Sequence, residues 1–218
     1  MIDNGFFIKK LCVFGDEVKN ANIEFEKGAN IITGPSDTGK SYIYDCINYM
    51  LGSSRKPKEI NEAKGYTTIL MEIKMYSGKT HTIVRKIGEN KVKVYDAESH
   101  LIENITEPKI LKVKHDKEKQ NNLSVFYLSK SGFTHPTRIR KNKKGDVRTL
   151  SFRDLPIYVA ISEEKIIKES SPIHSGQHMN STVEKEIFDL IVYGEKKFIV
   201  RFMREIKVSR QKQFWKDK

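Results

Sequence analysis

Residues 34–41 read Gly34-Pro35-Ser36-Asp37-Thr38-Gly39-Lys40-Ser41, a full G-x-x-x-x-G-K-[ST] pattern. No other segment constrains the chain as much, because the pattern works only between a strand and a helix, with its amides turned toward a phosphate. Ile31-Ile32-Thr33 is the expected strand. On the far side Ile43, Ile47, Met50 and Leu51 recur at helical spacing, and Gly52 stops the helix. Gly34 and Gly39 let the backbone wrap a phosphate with no Cβ in the way. The amides of residues 36–41 form an anion nest at a helix N-terminus. Lys40 would reach the β- and γ-phosphates and Ser41 Oγ would ligate Mg²⁺, with Tyr42 closing the set. Asp37 is out of place, since a carboxylate beside a polyphosphate repels it unless it faces solvent or pairs with a basic group.

What should accompany such a loop is an apolar run ending in Asp or Asp-Glu, which holds Mg²⁺ and orients water. No such run follows anywhere in the chain. Glu163-Glu164, after the apolar stretch 157–161, comes nearest, but Ser162 intervenes. The sequence therefore reads as half of an ATPase. At 218 residues it suits one domain with at most a small appendage, and 38% apolar residues suffice for a core. A net charge of +12 fits a polyanionic partner, or else a solvated lysine-rich surface. Cys12 and Cys46 stand alone, as buried thiols in a reducing compartment do. No segment approaches the roughly 18 apolar residues of a membrane helix, and Phe6-Phe7-Ile8 is too short for a signal core. A cytoplasmic protein without membrane contact is expected. The six histidines show no metal-ligand spacing.

Along the chain, strands are expected at 6–14 and 21–26, and a polar loop at 53–65. An antiparallel meander follows at 66–76, 80–87 and 91–95, with glycine turns between its strands. Residues 124–128 read as a short strand, and 157–161 as another. Arg138, Arg140, Lys141, Lys143, Lys144 and Arg148 stand against Asp146 alone in an exposed hairpin or loop. Ser162 would cap a short helix over 162–168. A longer helix starts at Ser181 or Thr182, buries Val183, Ile187, Leu190 and Ile191, and ends near Gly194. A last, basic helix carries nine Lys/Arg against two acids from Lys196 to Lys218.

This order of a strand pair, glycine loop and helix, antiparallel meander, and helix leading outward resembles the N-terminal head half of the SMC/RecN/RecF-type ATPases, coiled-coil relatives of ABC transporter ATPases. Lys27–Gly52 carries most of the resemblance and Thr67–Tyr95 fits the antiparallel arm. It implies an α/β P-loop lobe with a mixed sheet, the meander and C-terminal helices over 1–194, then the start of a truncated coiled coil over 195–218. It implies ATP and Mg²⁺ as cofactors, DNA as a target, and a C-terminal ATPase half or second head as partner. Ser171–Gln177 resembles the glutamine loop, which implies that Gln177 touches Mg²⁺ and the attacking water. Arg55 stands where some members place a γ-phosphate sensor. The chain departs from the family in having Ser36-Asp37 where Asn-Gly is common, and in lacking the signature motif and the acidic pair. Two rivals remain at this level: a self-contained small P-loop kinase with 138–148 as a basic lid, and a non-catalytic DNA-binding module with a vestigial loop.

Overall fold

A computed structural model of the chain describes residues 4–105, 107–116, 118–133, 136–171, 174, 176–177 and 180–194. It divides into two units, 1–134 with 151–156, and 135–150 with 157–218.

The first unit is built on a six-stranded sheet of β1 (Phe6–Gly15), β2 (Val18–Glu24), β3 (Thr68–Met75), β4 (Thr80–Lys86), β5 (Lys91–Tyr95) and β6 (Lys109–Lys112). The strands lie in the order β2-β1-β3-β4-β5-β6. Every neighbouring pair is antiparallel. Period-two alternation sets the register. Leu11, Met71, Ile83 and Val94 stand in one cross-strand row, and Val13, Ile69 and Arg85 in the next. Helices α1 (Lys40–Met50) and α2 (Leu123–Lys130) contribute Cys46, Tyr49, Met50, Leu123, Phe126 and Tyr127 to the core on this face. On the other face the buried Glu72 carboxylate meets Lys9 Nζ at 3.0 Å and accepts from the Ser99 amide at 2.6 Å.

The carbonyl end of α1 is anchored unusually firmly. Gly52, at φ 97°, closes a Schellman turn in which Ser53 N donates to Asn48 O and Gly52 N to Tyr49 O. Side chains from three distant segments then reach the same end. Arg85 Nη1 donates to Tyr49 O at 2.6 Å and Ser53 O at 3.0 Å, and its Nε to Glu89 O. Tyr127 Oη donates to Met50 O, and Arg153 Nη1 to the side chain and carbonyl of Asn48. The Arg85 guanidinium also lies 3.4 Å from the Tyr49 ring centroid. A buried cation is thus compensated by the negative end of a helix and a ring face.

The second unit contains the hairpin β7 (Arg138–Arg140) and β8 (Val147–Thr149), the short helix α3 (Glu163–Ile166), and a helix over 181–194. Ile187 and Leu190 are buried as expected, whereas Ile191 is exposed and Glu186 takes an inward place, paired with Arg140. The basic stretch expected as a helix over 195–218 lies outside the described residues.

Four expectations are corrected. Residues 124–128 belong to helix α2, because Asn122 Oδ1 caps Val125 N at 3.0 Å and Leu123, Phe126 and Tyr127 share one buried helical face. Residues 156–158 form a 3₁₀ turn, so no strand leads into Glu163. Among the described residues Ile31-Ile32-Thr33 forms no ladder, and Ile31 is 87% exposed. The sheet is consequently antiparallel, not mixed, since the strand that would have made it so is unpaired. Strand β6 fell in a stretch whose lysines hid its alternation.

Two outcomes follow from this packing. Arg85→Met should lower unfolding stability by about 3 kcal/mol, the sum of three lost hydrogen bonds, and Arg85→Lys should recover only part of it because a point charge lacks the fork. Urea denaturation measures both. His81, buried on the core face, donates from Nδ1 to Asp96 Oδ1 at 2.7 Å, while its Nε2 is buried with no partner among the described residues. Burial, helped by Lys130, holds its pKa below the ordinary value against the pull of Asp96. The unfolded chain therefore takes up this proton first. The stabilisation is complete above the ordinary histidine pKa of about 6.5 and fades as pH falls below it. The melting temperature should drop between about pH 7 and pH 5.5, and drop less in His81→Gln.

Candidate nucleotide-binding site

The loop takes its shape from three left-handed or near-left-handed residues: Gly34 at φ 155°, Asp37 at φ 59° and Gly39 at φ 83°. Thr38 Oγ1 donates to Pro35 O at 2.9 Å across the turn. Lys40 Nζ folds back over the loop, donating to Gly34 O at 2.9 Å and Pro35 O at 2.5 Å. A lysine so placed already lies over the concavity where phosphate oxygens would replace the two carbonyls. Residues 34–38 and Ser41 are exposed.

Helix α1 starts at Lys40 with Gly39 as N-cap, no side-chain cap and no acid in its first turn. Its first turn thus carries no carboxylate, while its negative end is met by Arg85 and Arg153. The one-sided compensation favours an anion at the loop. Ser41 in the first turn fits a Mg²⁺ ion that takes one protein hydroxyl, phosphate oxygens and water. Among the described residues no group of three or more His, Cys, Asp or Glu could hold a metal by itself.

Tyr42 is turned into the protein. It packs against the core beside Cys46 one turn on, and burial raises its pKa. Burial likewise pushes the Cys46 thiol up to about 12, so it is an inert packing group. Beside Thr38 and Gly39 a cleft of about 200 Å³ opens, walled by Leu11, Ala21, Ile23, Tyr42, Ile43 and Tyr66.

Of the other residues singled out by sequence, Arg55 stands apart from the loop. Arg55 follows the opposite end of α1, a helix length of about 16 Å along the axis, with its amide on Ser53 Oγ. Gln177 belongs to the second unit and leads toward the helix over 181–194, its carbonyl and Oε1 accepting from Asn180. Glu163 and Glu164 form the exposed first turn of α3. Sequence reading missed Arg85, Tyr127 and Arg153. For Arg85 a signal existed: His81, Ile83 and Arg85 alternate, which puts the arginine on the inward face.

A family model described as "AAA domain" matches residues 8–216. A DNA double-strand break repair Rad50 ATPase of Nanoarchaeum equitans is 34% identical over 113 residues, covering 49% of this chain. The chain spans 14% of that relative's length. Among the described residues no helix is long and apolar enough to cross a membrane.

Asp37 holds a left-handed conformation that glycine adopts without cost, and it places a carboxylate beside the anion site. Asp37→Gly should tighten nucleotide binding by about 1 kcal/mol, roughly fivefold. Asp37→Asn, which removes charge alone, should give a smaller gain. Titration with a fluorescent ATP analogue measures both.

Proposed function

The chain belongs to the AAA domain family and is an SMC/Rad50-type P-loop ATPase N-terminal region, and on that premise we propose that it binds ATP and Mg²⁺ at residues 34–41 as one half of an ATPase head. Lys40 neutralises the β- and γ-phosphates, Ser41 ligates Mg²⁺, and the amides of residues 36–41 cradle the phosphate chain. The apolar cleft beside Gly39 offers a wall to the base. The observation that carries this reading is the polarity of α1, capped by arginines at one end and built as a glycine turn with an overlying lysine at the other. Gln177 acts on the γ-phosphate side once the head is assembled.

The acidic catalytic residues come from a second segment, a C-terminal half or a second head. Ile31 and Ile32 support this. Successive residues of an extended chain point to opposite faces, so two adjacent isoleucines suit a central strand covered on both sides. Here they are exposed and unpaired. A partner strand laid beside residues 31–33 would bury both and stiffen the entry to the loop. DNA repair is the role, by likeness to the Rad50 relative, with DNA as the substrate acted upon.

Calorimetric titration with ATP·Mg²⁺ tests the reading. Binding is expected in the isolated chain, weakened at least about tenfold in Lys40→Ala, with turnover at background. Robust turnover by the chain alone, abolished by Glu163→Gln or Glu164→Gln, would overturn the half-head reading.

A further inference from the structure

We infer that the tip of the β7–β8 hairpin is a docking surface for the phosphate backbone of duplex DNA, an inference that deepens the DNA reading above by naming where the contact is made. Residues 138–148 hold six Lys/Arg and one Asp, so five of the chain's twelve net positive charges fall in eleven residues. The surface is more than a run of charge, because the hairpin is fixed in place and its tip is fixed in shape.

Ile139 is fully buried, and Arg140 forks from Nε and Nη2 onto the buried Glu186 carboxylate of the helix over 181–194. Arg140 is thus the anchor and takes no part in docking. At the tip, Asn142 organises the turn. Its Oδ1 accepts from the amides of Lys144 and Asp146, and its Nδ2 donates to Asp146 Oδ2 at 2.8 Å. Lys141 N donates to Asp146 O at 2.7 Å and closes the loop. The hairpin's one carboxylate is therefore engaged within the turn, while Arg138, Lys141, Lys143 and Lys144 are exposed around it.

This arrangement matches a polyanion with evenly spaced charges. Duplex DNA presents one negative charge per ~1.7 Å of axis, and a protein gains affinity by releasing counterions from each phosphate it neutralises. A preordered turn loses less conformational entropy on docking than a loose lysine tail. The lysines are point charges without planar donors, so the contact reads the backbone and not the bases.

The test is fluorescence anisotropy of a labelled DNA duplex with the full chain, across a salt series. Replacing Lys141, Lys143 and Lys144 together by Ala touches none of the hydrogen bonds that shape the turn, so the melting temperature should not move. Affinity should fall at least about tenfold near 0.1 M salt, and the slope of log K against log salt should shrink by about 2 to 3. The triple Lys→Arg variant should bind as the parent does. Asn142→Ala, which loosens the tip and keeps every charge, should cost several-fold. Unchanged affinity and slope in the triple Ala variant, or no DNA binding by the parent chain, would overturn the inference. So would equal, lysine-dependent binding to anionic phospholipid vesicles, which would make the surface a membrane contact. ATP titration of the same proteins separates the two readings. ATP binding retained in the triple Ala variant leaves the nucleotide site standing, and DNA binding retained in Lys40→Ala shows that the hairpin acts without it.

Discussion

The carbonyl end of α1 is the point on which the first unit turns. A helix ends with orphan carbonyls that must find donors, and in a buried setting each one left over costs as much as a lost hydrogen bond. Here the donors come from β4, α2 and the 3₁₀ turn after Ser151, through Arg85, Tyr127 and Arg153. Each donor crosses a long stretch of sequence, so one helix end ties together segments that would otherwise touch only through apolar packing. Arg85 donates to three backbone carbonyls and, among the described residues, to no carboxylate. The helix dipole and the Tyr49 ring take that part, and the cation is tolerated inside a core that includes Ile69 and Ile83.

Fixing one end of a rigid rod fixes the other. Because α1 is held at Tyr49 and Met50 against the sheet, Gly39 and Lys40 are placed with it, although the loop before them has few contacts of its own. The same polarity explains why the anion side can remain uncapped: arginines offset the negative end, and the positive end is left for an incoming phosphate. Asp37 runs against this design in charge, yet its left-handed backbone fits the turn, one of the few non-glycine residue types that enter that region readily. The loop thus keeps its geometry at some electrostatic cost.

Local chemistry was readable wherever a short segment carried its own instructions. The loop, the helix after it, the glycine that stops that helix and the meander with its turns are all specified within ten residues or so. The second unit's basic hairpin is equally local, with Asn142 and Gly145 shaping its tip. Reading failed where the deciding residue lay outside the window. SVFYL alternates well enough for a strand, but Asn122 and Leu123 just before it commit the segment to a helix. Lys109, Lys112 and the half-exposed Ile110 hid β6, which is recognisable only through its pairing with β5.

The amino-acid sequence by itself determined the phosphate loop, its helix, the antiparallel arm and the concentration of charge at 138–148, because spacing and residue type suffice for these. Tertiary structure decided the rest. It made Arg85 a helix anchor instead of a surface charge, turned Tyr42 toward Cys46, and separated Arg55 from the loop by the length of α1. It also left Ile31-Ile32 without a ladder, since a strand exists only where another strand supplies its hydrogen bonds. That dependence on a distant partner is what no local pattern can encode.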